Sequence, residues 1–192
     1  LGLGLADGLY NKQRLVPFGE YIPLESMLRG VIQFFDLPMS SFTRGSENQL
    51  LLKAASYNVA PYICYELVYP DFVAERAYQA DYLVTLSNDS WFGHSWGPLQ
   101  HLQMARMRAL ENARYLIRAT NNGVSAIIDN KGHINARTPQ FERATLEGSI
   151  IAMQGRTPFS YTGSWPIVAL SLLLIALVRL GFRFRFRFGR PS

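Results

Sequence analysis

The sequence predicts an α/β layered fold, and two patterns carry that prediction. Between residues 50 and 137, short apolar runs alternate with segments of helical spacing, which favours helices packed on a sheet over a helical bundle. Polar or glycine-bearing segments stand directly before or after the apolar runs, as expected where side chains gather at one edge of a sheet. The 48% hydrophobic composition is sufficient for a proper core.

The first half of the chain is predicted to contain strands around one short helix. A strand within residues 10–18 ends in a Pro-Phe-Gly turn. The apolar segment Leu24–Phe35 has helical spacing and is expected to be core or, alternatively, a lip that touches the bilayer. Residues 38–48 form a long loop suited to act as a lid. Leu50–Lys53 and Tyr57–Ile63 are predicted to be a pair of strands.

The second half is predicted to contain two helices and three strands. The longest helix runs from about Pro98 to Ala119, with proline in its first turn. Asn121-Asn122-Gly123 is expected to end this helix, because these residues tolerate left-handed backbone conformations. The other elements, in chain order, are a helix over Pro70–Gln79 and strands over Tyr82–Leu86, Val124–Asp129 and Ile134–Arg137.

The last 28 residues differ from the rest in composition. Trp165–Val178 is fourteen residues without a charge, and five arginines but no acid follow it. Because a membrane span needs about 20 apolar residues, the predicted transmembrane helix is extended to residues 161–182, with Arg179 reaching the headgroups. The alternative is a buried core helix. Residues 183–192 are expected to be a basic tail.

The charge balance bears on location and on partners. The chain has 19 basic and 14 acidic residues, and without the five tail arginines both counts are 14. Basic residues beside an apolar helix mark the cytoplasmic side, so residues 1–160 are expected to face the periplasm of a bacterial inner membrane. No excess of positive charge remains to bind nucleic acid. No secretory signal opens the chain, and we expect it to be the C-terminal part of a longer protein.

The single cysteine, Cys64, directly follows the apolar run Tyr57–Ile63, where an α/β enzyme displays a nucleophile. An unpaired cysteine is otherwise most often a small buried hydrophobe, and one cysteine excludes an internal disulfide. A thiol needs a base or a cation to become a nucleophile. Lys12, one of only three lysines against sixteen arginines, is a candidate cation, or an ordinary solvated lysine.

Five motifs occur in order along the chain: Lys12-x-x-Leu-Val-Pro-Phe-Gly-Glu20, Ile-Cys64-Tyr-Glu66, Ser-Asn-Asp-Ser-Trp-Phe-Gly93, Gln100-His-x-Gln-Met-Ala-Arg-Met-Arg-Ala-Leu-Glu111 and Ala-Thr-Asn-Asn-Gly-Val-Ser125. Together they resemble the apolipoprotein N-acyltransferase family, a membrane branch of the nitrilase (carbon–nitrogen hydrolase) superfamily. The resemblance implies a four-layer αββα domain with a Glu-Lys-Cys triad. Residues 1–160 would be the C-terminal portion of that domain, followed by the transmembrane helix.

The resemblance also implies roles for individual residues. Cys64 matches the nucleophile, Lys12 the triad lysine, and Glu20 a second essential acid. Tyr65 and Glu66 match the residues that follow the nucleophile, although Glu66 could merely orient a backbone amide. The general-base glutamate lies upstream of the lysine in this family, and before Lys12 only Asp7 is acidic. The chain alone is therefore expected to be inactive.

Further candidates lie in the segment after the strand Tyr82–Leu86. Asn88 is expected to support the site, and the pair Trp91 and Phe92 either contacts an acyl chain or belongs to the core. Asp89 alone does not make a site. The three histidines, including His101, show no ligand spacing, so we predict no metal and no cofactor.

The implied reaction is a two-step acyl transfer in a monomer at the lipid bilayer. Cys64 would take a fatty acyl group from a phospholipid as a thioester and pass it to the α-amino group of a diacylglyceryl-cysteine that begins an apolipoprotein. Two alternatives remain: a membrane-anchored nitrilase-like amidase that hydrolyses small amides, and a membrane-anchored module without catalytic activity. A soluble substrate would require neither the tail helix nor the apolar segment Leu24–Phe35.

Overall fold

The computed structural model describes residues 6–23 and 42–188, and within them seven strands form one mixed sheet in the sequential order β1 to β7. The strands β3, β4 and β5 are parallel, and every other neighbouring pair is antiparallel. This confirms the predicted α/β class, and the structure shows that the sheet is mixed. The strands are β1 (Ala6–Asp7), β2 (Leu52–Ala54), β3 (Tyr57–Ile63), β4 (Tyr82–Ser87), β5 (Leu116–Thr120), β6 (Ala126–Ile128) and β7 (Ile134–Arg137).

Two helices provide the crossover connections that parallel strands require. Helix α1 (Pro70–Ala77) links β3 to β4, and helix α2 (Gly97–Asn112) links β4 to β5. Both bury apolar residues against the central strands. The core they share includes Ala60, Tyr62, Phe72, Val73, Leu83, Leu102, Ala105, Ala109, Leu116 and Ile128. Because the crossovers return the chain to the same end of the sheet, the carboxyl ends of β3, β4 and β5 meet at one edge.

The predicted helix Pro98–Ala119 is wrong in its last third, because α2 ends at Asn112 and Leu116–Thr120 is the strand β5. Ala113 takes a left-handed conformation (φ 49°, ψ 45°), and its N–H bonds to the carbonyl groups of Ala109 and Leu110. The buried Arg114 then donates hydrogen bonds to several main-chain carbonyls, at 2.7 Å from Nε to the oxygen of Ala80. These tertiary bonds outweigh the helical spacing that continues through the sequence.

The strand predicted within residues 10–18 is also wrong. The segment carries only an isolated bridge between Pro17 and Tyr21, because the amides of Gln13 and Arg14 bond to the Glu66 carboxylate instead of to a strand. The predicted β3 and β7 are confirmed with the same ends, and β2, β4 and α1 are confirmed with ends shifted by one or two residues. The strand β6 is shorter than expected. The predicted helix Leu24–Phe35 lies outside the described residues, as does the first part of the loop 38–48.

The C-terminal region consists of a short helix α3 (Pro158–Thr162) and a long helix α4 (Trp165–Phe188). The single helix expected from Tyr161 is interrupted at Gly163 (φ 57°), and the next amide, that of Ser164, donates to Oδ1 of Asp71 at 2.7 Å. Apolar side chains from Ile167 to Val178 are exposed. Within the described part of the chain, no helix is long and apolar enough to cross a membrane. The transmembrane span therefore stays a prediction.

Candidate active site

A shallow, widely open cleft of about 530 Å³ lies where the three parallel strands end. It is the edge at which α/β folds bind ligands, because side chains from successive strand ends and loops converge there. Cys64 is the residue directly after β3 and is half-buried. The cleft is lined by Ile63, Leu86, Ser87, Asn88, Ala119, Thr120 and Asn121.

The main chain turns sharply at Cys64, which has a φ of 51° and begins a short 3₁₀ helix, Cys64–Val68. A residue with a β-carbon adopts this left-handed region only at a cost of about 1–3 kcal/mol, so surrounding contacts must hold it. One such contact is a hydrogen bond of 3.1 Å between His101 Nε2 and the carbonyl oxygen of Cys64. The turn therefore places Cys64 between the end of β3 and the start of the 3₁₀ helix.

Glu66 is fully buried and joins this turn to the segment that carries Lys12. Its Oε2 accepts a bond from the amide of Ile63 at 2.6 Å, and its Oε1 accepts from the amides of Gln13 at 2.5 Å and Arg14 at 3.2 Å. Tyr10 Oη donates to both oxygens at 3.0 Å. Burial, followed by the Glu66 charge, raises the pKa of Tyr10 above its ordinary value. Glu66 therefore orients several backbone amides, one of the roles open to it from the sequence.

Lys12 and Glu20, predicted to act together, form an ion pair with 2.6 Å between Nζ and Oε1. Both side chains are largely buried, at 12% and 23% exposure. The second oxygen of Glu20 accepts from the amide of Val16 at 2.9 Å, so the carboxylate is fixed from both sides. The main-chain carbonyl of Lys12 also accepts from the amide of Gly45 at 2.8 Å. Lys12 is thus held at both its side chain and its backbone.

Of the remaining predicted residues, Asn88 lines the cleft, whereas Tyr65, Trp91 and Phe92 are not among its lining residues. The Tyr65 ring packs edge-on against Tyr69 with 5.3 Å between centroids. Asn88 Oδ1 accepts from the amide of Ser90 and begins the 3₁₀ helix Asp89–Phe92. Trp91 is 76% exposed and Phe92 43% exposed. The alternative that this aromatic pair belongs to the core is wrong for Trp91, which lies in solvent beside the strand ends.

Sequence reasoning missed a buried polar cluster of Ser87, Asp89, His101 and Arg118. Asp89 Oδ2 accepts from Arg118 Nη2 at 2.6 Å, and its Oδ1 accepts from Ser87 Oγ at 2.6 Å. His101 Nδ1 lies 3.2 Å from Asp89 Oδ1 and 3.3 Å from Arg118 Nη2. The other ring nitrogen of His101 reaches the Cys64 carbonyl. The sequence contains one sign of this cluster, because the charged Arg118 interrupts an apolar run in β5. The sequence pattern assigns that run to a helix, so it does not predict a buried charge in a strand.

The electrostatics of the cluster follow from burial and pairing. Burial would raise the pKa of Asp89, but hydrogen bonds from His101 and Ser87 and the charge of Arg118 outweigh it, so the pKa lies below its usual value. Burial lowers the pKa of Arg118, and the Asp89 carboxylate and an electrostatic interaction with Cys64 oppose that effect. Arg118 Nη1 is buried and has no hydrogen-bond partner in the described residues.

The described residues contain no group of three or more His, Cys, Asp or Glu side chains arranged to hold a metal ion. The backbone around Cys64 is nevertheless bonded to acidic and basic side chains, through His101 to Asp89 and through Glu66 to the segment of Lys12. Such a set is suited to covalent acyl chemistry, in which a thiol attacks a carbonyl and nearby cations meet the negative charge that develops.

Comparison with known proteins agrees with this geometry. The sequence profile of the carbon-nitrogen hydrolase family matches residues 3–156. The chain is 57% identical over 180 residues to an apolipoprotein N-acyltransferase of Pseudomonas syringae pv. tomato, covering 94% of this chain and 36% of that protein. It is 52% identical over 169 residues to the enzyme of the same name from Haemophilus influenzae, covering 88% and 32%. The resemblance inferred from the five motifs is confirmed.

Two limits apply to these similarities. The chain spans about a third of the length of the curated relatives that it matches. Among solved structures, the fold is similar to a glutamine-dependent NAD+ synthetase from Acinetobacter baumannii, with a TM-score of 0.54 and 16% identity over 71% of this chain and 24% of that one. A CN-hydrolase superfamily protein from Xanthomonas campestris gives 0.50 and 20% over 69% and 49%. At these identities the likeness concerns the fold alone.

Proposed function

Because this chain belongs to the carbon–nitrogen hydrolase family, we propose that Cys64 is the nucleophile of an acyltransferase that transfers a fatty acyl group from a phospholipid to an apolipoprotein. The observation that carries the proposal is the turn at Cys64, whose strained backbone lies at the strand edge and is joined through Glu66 to the segment of Lys12. A fold that served only to bury a cysteine would not require this arrangement.

In the first proposed step, the Cys64 thiolate attacks the ester carbonyl of a phospholipid. A carbon–sulfur bond forms and the ester carbon–oxygen bond breaks. The lysophospholipid leaves with the proton that the thiol had given to the carboxylate upstream of Lys12. Lys12 and the backbone N–H that follows Cys64 are the groups proposed to stabilise the negative charge on the carbonyl oxygen. Glu20 acts by positioning, because its bond to Nζ fixes the ammonium group.

In the second proposed step, the α-amino group of a diacylglyceryl-cysteine attacks the thioester. A carbon–nitrogen bond forms, the carbon–sulfur bond breaks, and the proton of the amine passes to a carboxylate upstream of Lys12. A thioester suits this sequence because it retains enough acyl-transfer potential to form an amide. No metal or cofactor is required by either step.

The proposed setting is the outer face of a bacterial inner membrane. We propose that residues 161–182 contact lipid, that residues 1–160 face the periplasm and that the basic tail, residues 183–192, lies on the cytoplasmic side. The exposed apolar side chains of α4 between Ile167 and Val178 support contact with hydrocarbon. The exposed Trp91, together with Phe92 and Asn88, is proposed to line the path of the acyl chain. The protein is proposed to act as a monomer.

Mass spectrometry of the complete protein after incubation with phospholipid vesicles tests this function. We expect an acyl adduct on the peptide that contains Cys64, absent in Cys64→Ala and formed at least about a hundredfold more slowly in Lys12→Met. Lys131→Met is the control, since Lys131 is exposed in the turn between β6 and β7. Turnover of small amides without an adduct would support an amidase instead. Unchanged acylation of apolipoprotein in Cys64→Ala would contradict both enzymatic functions.

A further inference from the structure

We propose that Arg118 is the buried cation that stabilises the Cys64 thiolate, and that His101 and Asp89 are positioning residues that hold the turn and the guanidinium group in place. The inference rests on the proposed role of Cys64 as nucleophile. It adds to Lys12 a second positive group, Arg118, which is buried within β5. None of these three residues is assigned a role by the five motifs.

The contacts form an unbroken path from Arg118 to the nucleophile. Arg118 bonds to Asp89 at 2.6 Å, Asp89 lies 3.2 Å from His101 Nδ1, and His101 Nε2 lies 3.1 Å from the Cys64 carbonyl oxygen. Arg118, Asp89 and His101 are all at most 5% exposed. Side chains buried and mutually bonded in this way occupy one arrangement, which suits them to fix the backbone of their neighbour.

The protonation of His101 can be assigned at Nε2, one of its two ring nitrogens. A carbonyl oxygen only accepts hydrogen bonds, so Nε2 must carry the proton that bonds to Cys64. At Nδ1 the neighbours differ in kind, since Asp89 Oδ1 accepts and Arg118 Nη2 donates. The bond to the carbonyl is therefore kept in either protonation state of Nδ1. This bond restrains the left-handed turn that displays the thiol.

Arg118 has a buried hydrogen-bond donor that a negatively charged group would satisfy. Its Nη2 is used by Asp89, whereas Nη1 is buried and has no hydrogen-bond partner among the residues described. A negative charge on Cys64 would raise the pKa of Arg118 and so favour its charged form. Leaving a buried guanidinium nitrogen unpaired is costly, and an anion that forms on the nearby sulfur would offset that cost. The charged or titratable groups that face Cys64 through this cluster are Arg118, His101 and Asp89.

Alkylation of Cys64 tests the inference without requiring acyl transfer. The thiolate displaces iodide from iodoacetamide, which is neutral, or from iodoacetate, which is anionic, and peptide mass spectrometry follows the adduct on Cys64. The main variant is Asp89→Asn with Arg118→Met, because removal of both charges avoids an unpaired buried ion. We expect alkylation to slow about tenfold, as when a neighbouring cation is lost. The rate with anionic iodoacetate, divided by the rate with neutral iodoacetamide, should also fall. Arg118→Lys, which keeps a point charge, should restore part of both.

The matched control is Arg114→Lys, because Arg114 is as buried as Arg118 but bonds to main-chain carbonyls instead. This variant should leave the alkylation rate and the reagent ratio unchanged. Two variants test the positioning role of His101. His101→Leu, which has no donor, should slow acyl-adduct formation, whereas His101→Gln, which retains a donor, should keep most of the parent rate. A purely structural effect of the Arg118 site would lower stability without changing the reagent ratio, and that result overturns the inference.

The outcomes separate this inference from the proposed function. If alkylation depends on Arg118 but no acyl adduct ever forms, the inference stands and the proposed acyl transfer fails. If the acyl adduct forms at the parent rate in the doubly substituted protein, acyl transfer stands and the role of Arg118 fails. Equal changes in Arg114→Lys and in the Arg118 variants would also contradict the inference.

Discussion

Arg114 and Arg118 are both 1% exposed and stand four residues apart, yet the fold surrounds them differently. Arg114, just before β5, donates to the carbonyl oxygens of Tyr78, Ala80, Asn112, Ala113 and Gly155. Arg118, inside β5, faces a carboxylate and keeps one nitrogen without a hydrogen-bond partner in the described chain. The first arrangement is complete and joins chain segments. The second retains a hydrogen-bond donor that is unused among the described residues, near Cys64, the proposed nucleophile.

The two regions share a second feature, a left-handed residue that has a side chain. Ala113 has a φ of 49° and Cys64 a φ of 51°. At Ala113 the conformation ends a helix and satisfies its last carbonyls, and no functional group is displayed. At Cys64 it presents a thiol at the strand edge. Backbone strain alone therefore does not identify a functional site; the charged groups around the strained residue distinguish the two.

The largest expected effect concerns the Asp89–Arg118 pair. We expect Asp89→Ala to lower the free energy of unfolding by about 3–5 kcal/mol, because it leaves the Arg118 charge buried without a partner. Arg114→Met should cost less, about 1–3 kcal/mol, because it leaves polar carbonyls but no charge unpaired. Urea unfolding of both variants measures the difference. A loss in Arg114→Met equal to that in Asp89→Ala would contradict the distinction drawn between the two arginines.

Acid should remove part of the same stabilisation. The pKa of Asp89 in the folded protein lies below its ordinary value, so its contribution is fully present above about pH 4 and is lost as the pH falls through the folded pKa. The loss should be smaller than in Asp89→Ala, since the side chain remains. We expect the urea midpoint of Asp89→Asn to change less than that of the parent between pH 6 and pH 3.

Arg114→Met is the control for this pH dependence. Its hydrogen-bond partners are carbonyl groups that do not titrate, although the charge of Asp81 also favours its charged form. The gap between its urea midpoints and those of the parent should therefore vary less with pH than the gap for Asp89→Asn. Asp129→Asn reports on another carboxylate whose pKa is lowered, a partly buried one in the turn before β7. If Asp129→Asn removes more of the acid-induced loss of stability than Asp89→Asn does, the main acid-sensitive group lies outside the cluster.

The sequence was sufficient for features whose signal is local. Cys64 after an apolar run predicted the strand end, and the segment from Lys12 to Glu20 contained both members of an ion pair. The helix end at Ala113 could not be predicted, because alanine has no local preference for a left-handed cap and the apolar spacing continues into Leu116. The Asp89–His101–Arg118 cluster comes from three different segments, so no spacing within the sequence reports it. Only the parallel arrangement of β4 and β5 brings these residues together.

Replacing glycine by alanine at two positions adds one methyl group beside a carboxylate, once inside the Asp89 cluster and once outside it. A β-carbon on Gly123 would overlap Oδ2 of Asp89, and one on Gly163 would overlap Oδ1 of Asp71. Asp89 is buried and bonded on both oxygens, whereas Asp71 is exposed. We expect Gly123→Ala to cost about 1–3 kcal/mol through overpacking and to slow acyl-adduct formation on Cys64. Gly163→Ala, strained by its positive φ, should lower stability but leave the rate of adduct formation unchanged.

The smallest effect compares the two left-handed residues directly. Glycine removes the clash of a β-carbon in this conformation, worth about 1–2 kcal/mol, but increases the entropy of the unfolded chain by about 0.4–1 kcal/mol. Ala113→Gly and Cys64→Gly should therefore each raise the free energy of unfolding by about 0.5–1 kcal/mol, measured by urea unfolding. Only Cys64→Gly should abolish acyl transfer. If Cys64→Gly is instead less stable than the parent, the thiol itself contributes to packing, and the turn at Cys64 would be a structural element like that at Ala113.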